Sequence, residues 1–134
     1  MPDILIVEDN PVNQKLIAFL LARSQYTYDI AENGAVALDR LEKSTYRLVL
    51  MDMMMPVMNG YDATKAIRSN PKHQHLPVIA LTANAMKGED EKCRQVGCDD
   101  YIAKPYSKDQ ILSSIHRLIG KPALPPGQTP RPTV

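Results

Sequence analysis

The sequence predicts a doubly wound α/β fold, a five-stranded parallel sheet with helices on both faces, and three observations carry that prediction. Four apolar runs, Ile4-Leu5-Ile6-Val7, Leu48-Val49-Leu50-Met51, Val78-Ile79-Ala80-Leu81 and Tyr101-Ile102-Ala103, are too short for buried helices. Unbroken runs rich in branched residues are what parallel strands covered on both faces require. A fifth stretch, Tyr26-Thr27-Tyr28-Asp29-Ile30-Ala31, alternates, with Tyr26, Tyr28 and Ile30 on one face, and reads as an edge strand. Segments with helical spacing separate these runs, so strand and helix alternate five times over, an order that implies right-handed crossovers.

Taken in order, the first strand leads into a helix opened by Asn10-Pro11. Asn is a favourable cap, and Pro at the first helical position loses no hydrogen bond because that N–H has no helical partner. Ile17, Leu20 and Leu21 then share one face. The edge strand follows, and the spacing predicts weaker helices near 33–43, 62–70 and 86–96, each set between two of the remaining strands. In the last helix Ser107 is the cap, Ile111, Leu112, Ile115, Leu118 and Ile119 form one stripe, and Gly120 ends it.

With 134 residues the chain has the length of one domain, enough to bury roughly two-thirds of its unfolded surface, so neither disulfides nor a structural metal is required. No run of about 18 apolar residues is present and the N-terminus lacks a signal-peptide pattern, so no membrane partner is expected. Cys93 and Cys98 do not form a CxxC pair, which argues against a zinc site and fits a reduced, cytoplasmic setting. The formal charge of +1 gives no reason to expect nucleic acid. Five prolines (Pro122, Pro125, Pro126, Pro130, Pro132) crowd the end of the chain beside little apolar bulk. The expected division is a folded domain over 1–119 and a flexible, proline-rich tail over 120–134.

In a doubly wound sheet, functional groups collect beyond the carboxyl ends of the strands. There the first strand presents Glu8 and Asp9, the third Asp52 and the fourth Thr82, and the fifth is followed by Lys104-Pro105. Any one of these is an ordinary exposed strand end. Together, three carboxylates would repel one another unless a cation neutralised them, and hard oxygen ligands point to Mg²⁺. An acid-bound divalent ion with an ammonium beside it suits phosphoryl transfer. Asp52, held by a rigid strand, is the best nucleophile, since a carboxylate can form an acyl phosphate.

The runs Ile4-Leu5-Ile6-Val7-Glu8-Asp9-Asn10, Leu50-Met51-Asp52-Met53-Met54-Met55-Pro56 with Asn59-Gly60, Ala80-Leu81-Thr82-Ala83 and the pair Lys104-Pro105 together resemble a response regulator receiver domain. The resemblance covers residues 3–119, and Asn10-Pro11-Val12-Asn13 and Thr82-Ala83-Asn84-Ala85-Met86 resemble receivers of hybrid histidine kinases or phosphorelays. It implies a flavodoxin-like sheet with strand order 2-1-3-4-5. It also implies that Asp52 takes a phosphoryl group from a phosphohistidine on a histidine kinase or histidine phosphotransfer protein. Asp9 would bind Mg²⁺ directly, Glu8 mainly through water, and Met54 through its backbone carbonyl. Thr82 and Lys104 would hold the phosphoryl oxygens, Thr82 and Tyr101 would form the conformational switch, and a cis peptide would precede Pro105. Such a protein catalyses its own phosphorylation and slow autodephosphorylation without being a conventional turnover enzyme, and a receiver homodimer is a further partner. The alternative is a degenerate receiver that acts only as a protein-interaction module.

Rival enzymes fit less well. A haloacid-dehalogenase-type phosphatase needs a second acid two residues after the nucleophile, where this chain has Met54. A flavin carrier needs a phosphate loop where Glu8-Asp9-Asn10-Pro11 would repel phosphate. The cluster Met51, Met53, Met54, Met55 and Met58 reads as packing, because thioethers do not bind Mg²⁺. His73, His75 and His116 read as surface residues, and Lys87-Gly88-Glu89-Asp90-Glu91-Lys92 as a solvated helix start. Met54 and Asn84, each two residues past a site residue, are expected to set the lifetime of a phosphorylated state.

Overall fold

The structure is a computed structural model and describes residues 2–53, 58–82, 88–103 and 107–120. The elements are β1 (Ile4–Val7), α1 (Pro11–Arg23), β2 (Tyr28–Ala31), α2 (Gly34–Lys43), β3 (Leu48–Asp52), α3 (Gly60–Ser69), a 3₁₀ turn (Pro71–His73), β4 (Val78–Thr82), α4 (Glu89–Gln95), β5 (Asp100–Ala103) and α5 (Lys108–Ile119). All strand pairs are parallel and the order is β2-β1-β3-β4-β5, as the resemblance implied.

The alternation of side chains along each strand sorts the core into two layers. Leu5, Val7, Val49, Met51, Val78 and Ala80 face one side, where Ala37 and Leu41 of α2, Ala63 and Ile67 of α3 and Cys93 of α4 cover them. Ile4, Ile6, Leu48, Leu50, Ile79 and Leu81 face the other, under Ile17 and Leu21 of α1 and Ile111 and Ile115 of α5. Burying one such aliphatic side chain contributes about 2 kcal/mol. Double coverage of the sheet is therefore why β1, β3 and β4 read as unbroken apolar runs.

Helix starts follow the caps. The Asn10 side chain accepts from the N–H groups of Val12 and Asn13, that of Asn33 from the Val36 N–H, and that of Ser107 from the Gln110 N–H, while the Gln110 side-chain oxygen accepts from the Ser107 N–H. The edge strand and the third and fourth helices have bounds that differ from the sequence expectation. The edge strand begins at Tyr28, because Gln25 turns the chain with φ 68° and the Tyr26 N–H bonds back to the Leu21 carbonyl of α1. Tyr26 still fills the core beside Leu21, which is why it fitted the alternating pattern. The third helix begins at Gly60 under an Asn59 cap and ends at Ser69, because the Asn70 side chain caps the following 3₁₀ turn. The fourth helix spans Glu89–Gln95, shorter than 86–96, after a Gly88 with φ 93°.

Candidate functional site

Parallel packing brings the carboxyl ends of β1, β3 and β4 to one edge of the sheet. Val7 pairs in register with Met51, so Glu8 emerges beside Asp52, and Asp52 is in turn the register partner of Leu81, the residue before Thr82. Oxygen atoms of Glu8, Asp9 and Asp52 all lie within 4.8 Å of one another. Glu8 and Asp52 are buried, at 1% and 3% exposure, Asp9 is exposed and Thr82 is fully buried.

Two local devices shape this edge. The Glu8 N–H donates to the Ala31 carbonyl at 3.0 Å, a Glu8 carboxyl oxygen accepts from the Asn10 N–H at 3.1 Å, and the Glu8 carbonyl accepts from the Gln14 side-chain amide at 2.6 Å. On the other side α3 starts hard against the end of β3. A Cβ on Gly60 would lie 2.5 Å from the Asp52 carbonyl oxygen and 2.6 Å from the Met53 sulfur, so only glycine fits.

Burial pushes the Glu8 carboxyl up to about 7, helped by a hydrogen bond to Asp52, while the bond from the Asn10 N–H opposes the shift. Glu8 therefore holds a proton that an isolated glutamate would release, and sharing it lets the two buried carboxyl groups lie together. Hard oxygens grouped this closely are a donor set suited to Mg²⁺.

Tyr101 is half-buried against the layer that contains Ala80, its register partner, and Cys93 of α4. Strand alternation puts Tyr101 and Thr82 on the same sheet face. Burial pushes the Tyr101 hydroxyl up, with the nearby Cys93 and the acids Glu89 and Asp90 adding to the shift. The structure thus brings together four sequence-expected residues, Glu8, Asp9, Asp52 and Thr82, with Tyr101 on the neighbouring strand. Met54, Asn84, Lys104 and Pro105 lie outside the described residues, as does the chain from 121 to 134. Among the described residues Cys93 and Cys98 are free thiols, His116 is exposed, and no helix is long and apolar enough to cross a membrane. Gln14 was not anticipated from sequence; a bond to a backbone carbonyl leaves no mark in residue spacing.

A five-stranded doubly wound sheet with an acidic triad at its carboxyl edge defines the class of flavodoxin-like α/β proteins that place their chemistry at strand ends. The chain matches the family described as the response regulator receiver domain over residues 4–116, and it belongs to that family. It is 42% identical over 120 residues to hybrid signal transduction histidine kinase B of Dictyostelium discoideum, covering 81% of this chain and 6% of that protein's length. Among solved structures it resembles the receiver domain of the sensor histidine kinase PA1611 from Pseudomonas aeruginosa, crystallised with a magnesium ion coordinated in the active site cleft. That likeness has 41% identity and a TM-score of 0.82, covering 90% of this chain and 98% of the other. It also resembles the receiver domain of Ssk1 from Saccharomyces cerevisiae, solved in complex with the histidine phosphotransfer protein Ypd1. There the identity is 29% and the TM-score 0.81, over 88% of this chain and 90% of the other. The chain is thus a receiver domain of two-component signalling.

Proposed function

We propose that this receiver accepts a phosphoryl group onto Asp52 from a phosphohistidine on a histidine kinase or histidine phosphotransfer protein. The observation that carries the reading is the convergence of Glu8, Asp9 and Asp52 within 4.8 Å at the sheet edge, with Thr82 on the adjoining strand. Glu8, Asp9 and Asp52, with the backbone carbonyl of Met54 as the family resemblance assigns it, would hold Mg²⁺. That ion, when bound, would neutralise charge on the carboxylates and on the phosphoryl oxygens.

Asp52 is fixed by β3, and its carboxylate oxygen attacks phosphorus. The oxygen–phosphorus bond forms as the phosphorus–nitrogen bond to the donor imidazole breaks, and the released imidazole keeps its ring neutral by taking a proton from solvent. Thr82 donates its hydroxyl to a phosphoryl oxygen, and Lys104 pairs with the remaining charge. Movement of Thr82 toward the phosphoryl group vacates space on the sheet face it shares with Tyr101, whose ring turns inward and alters the surface around α4, β5 and α5.

A donor protein needs a surface beside the site. Val12, Leu16 and Phe19 line one exposed face of α1 at helical spacing, at 73%, 49% and 57% exposure, and the row starts two residues after the Asn10 cap. The PA1611 magnesium complex and the Ssk1–Ypd1 complex support the cation and the partner class by similarity.

The test is incubation with Mg²⁺ and a small phosphoramidate or acyl-phosphate donor. Acid-stable, base-labile phosphate on wild-type protein, absent from Asp52→Asn, is the expected result. Wild-type protein that takes no label would reject the reading and leave a receiver that works by protein interaction alone.

A further inference from the structure

We infer that Gln14 is a positioning residue for the cation site formed by Glu8, Asp9 and Asp52; the inference rests on the magnesium reading above. Gln14 lies on α1 and donates its side-chain amide to the Glu8 carbonyl at 2.6 Å. That oxygen belongs to the first peptide beyond the end of β1.

The geometry gives this bond leverage. A peptide unit is planar from one Cα to the next, so holding the Glu8 carbonyl oxygen fixes the plane that ends at the Asp9 Cα. Asp9 is the exposed member of the acidic triad, with no burial to restrain it, whereas Glu8 and Asp52 are held by the core. With its side chain exposed, Asp9 depends on its backbone for much of its orientation, and Gln14 grips that backbone from a rigid base. Its own N–H is bonded to the Asn10 carbonyl at 2.9 Å, and Asn10 caps the helix through Val12 and Asn13. One loop is thus closed from Asn10 through α1 to Gln14 and back to Glu8. A ligand whose peptide plane rotates freely loses orientation each time it binds the ion, and such outer partners commonly set metal affinity.

The experiment titrates Mg²⁺ alone into full-length wild-type, Gln14→Met and Gln14→Ala proteins by calorimetry, beside urea unfolding in the absence of divalent ions. Gln14→Met keeps the length and helix preference of glutamine but removes the donor, and Gln14→Ala tests the same loss if methionine disturbs packing. The expected result is about a tenfold loss of Mg²⁺ affinity in both variants, measured where circular dichroism shows each folded, with little change in the metal-free urea midpoint. Affinity equal to wild type in both variants, whatever the urea midpoint does, would overturn the inference and leave Gln14 a structural brace. Wild-type protein with no Mg²⁺ affinity would instead overturn the magnesium reading, and this inference with it.

Discussion

Carboxyl oxygens of Glu8 and Asp52 lie within 4.8 Å of each other in a nearly dry setting, at 1% and 3% exposure. Burial and the neighbouring Asp52 keep a proton on Glu8 up to about pH 7. The folded state therefore binds this proton more tightly than the unfolded chain. Its stabilising effect is complete below about pH 4.5, the value for a free glutamate, and is lost as pH rises to about 7. In urea unfolding without divalent cations, wild-type protein should lose roughly 3 kcal/mol across that window relative to Glu8→Gln, whose amide does not titrate. Parallel pH profiles for the two proteins would contradict the assignment.

At the opposite end of the sheet, Asp3 and Arg47 form a pair at 3.0 Å in which the Asp3 side chain is 1% exposed. Asp3 also accepts from the Thr27 N–H at 3.1 Å, and Arg47 donates to the Ile119 carbonyl at 2.6 Å. Removing the cation leaves a buried carboxylate, so Arg47→Met should cost about 3 kcal/mol in chemical denaturation. Adding Asp3→Asn to Arg47→Met should recover part of that loss, and strictly additive effects would show that the two charges do not interact.

Cys93 and Cys98 sit in the layer under α3 and α4, where burial pushes their thiols up to about 11 and about 12. Nucleophilic attack needs thiolate, so native protein near pH 8 should react negligibly with a disulfide reagent and take two equivalents only in denaturant. Fast labelling of native protein would mean that this layer opens readily.

Tyr61 has a buried hydroxyl without a hydrogen-bond partner among the described residues, and the Lys92 ammonium lies 4.4 Å from its ring centre. Tyr61→Phe should raise stability by about 1 kcal/mol because it removes an unsatisfied polar group and keeps the ring. Lys92→Met should lower stability by less than about 1 kcal/mol through loss of the cation over the ring. Thermal unfolding of both variants checks the pair.

The strands were legible where burial on two faces writes an unbroken apolar run, and the acids were legible because charged residues directly after such runs mark the carboxyl edge of the sheet. Where a feature depends on tertiary contact, the residues alone misled. Tyr26 extended the alternating pattern of its strand, yet it is a core side chain on a turn after α1, and periodicity does not separate the two. The start of α3 was placed two residues late because Gly60 is a weak helix former. It begins the helix because the end of β3 leaves no room for a Cβ. Gln14 resembled any solvated helix residue, since a hydrogen bond to a main-chain carbonyl demands only an amide at the right height. Asp52 and Thr82 needed no such context, because strand register alone brings the ends of β3 and β4 to one edge, with Asp52 opposite Leu81 and Thr82 next in line.

The Asp3, Tyr26 and Arg47 side chains also have a consequence for chain layout. Arg47 bonds both to Asp3, just before β1, and to the carbonyl of Ile119, the last residue of α5, while the Tyr26 hydroxyl donates to the Gly120 carbonyl at 2.7 Å. Polypeptide enters and leaves this unit at nearly one point, across the sheet from the acids. Spliced into a longer sequence, the fold would hang from it as a pendant side loop, its two points of attachment together on the side of the sheet away from the carboxylate edge.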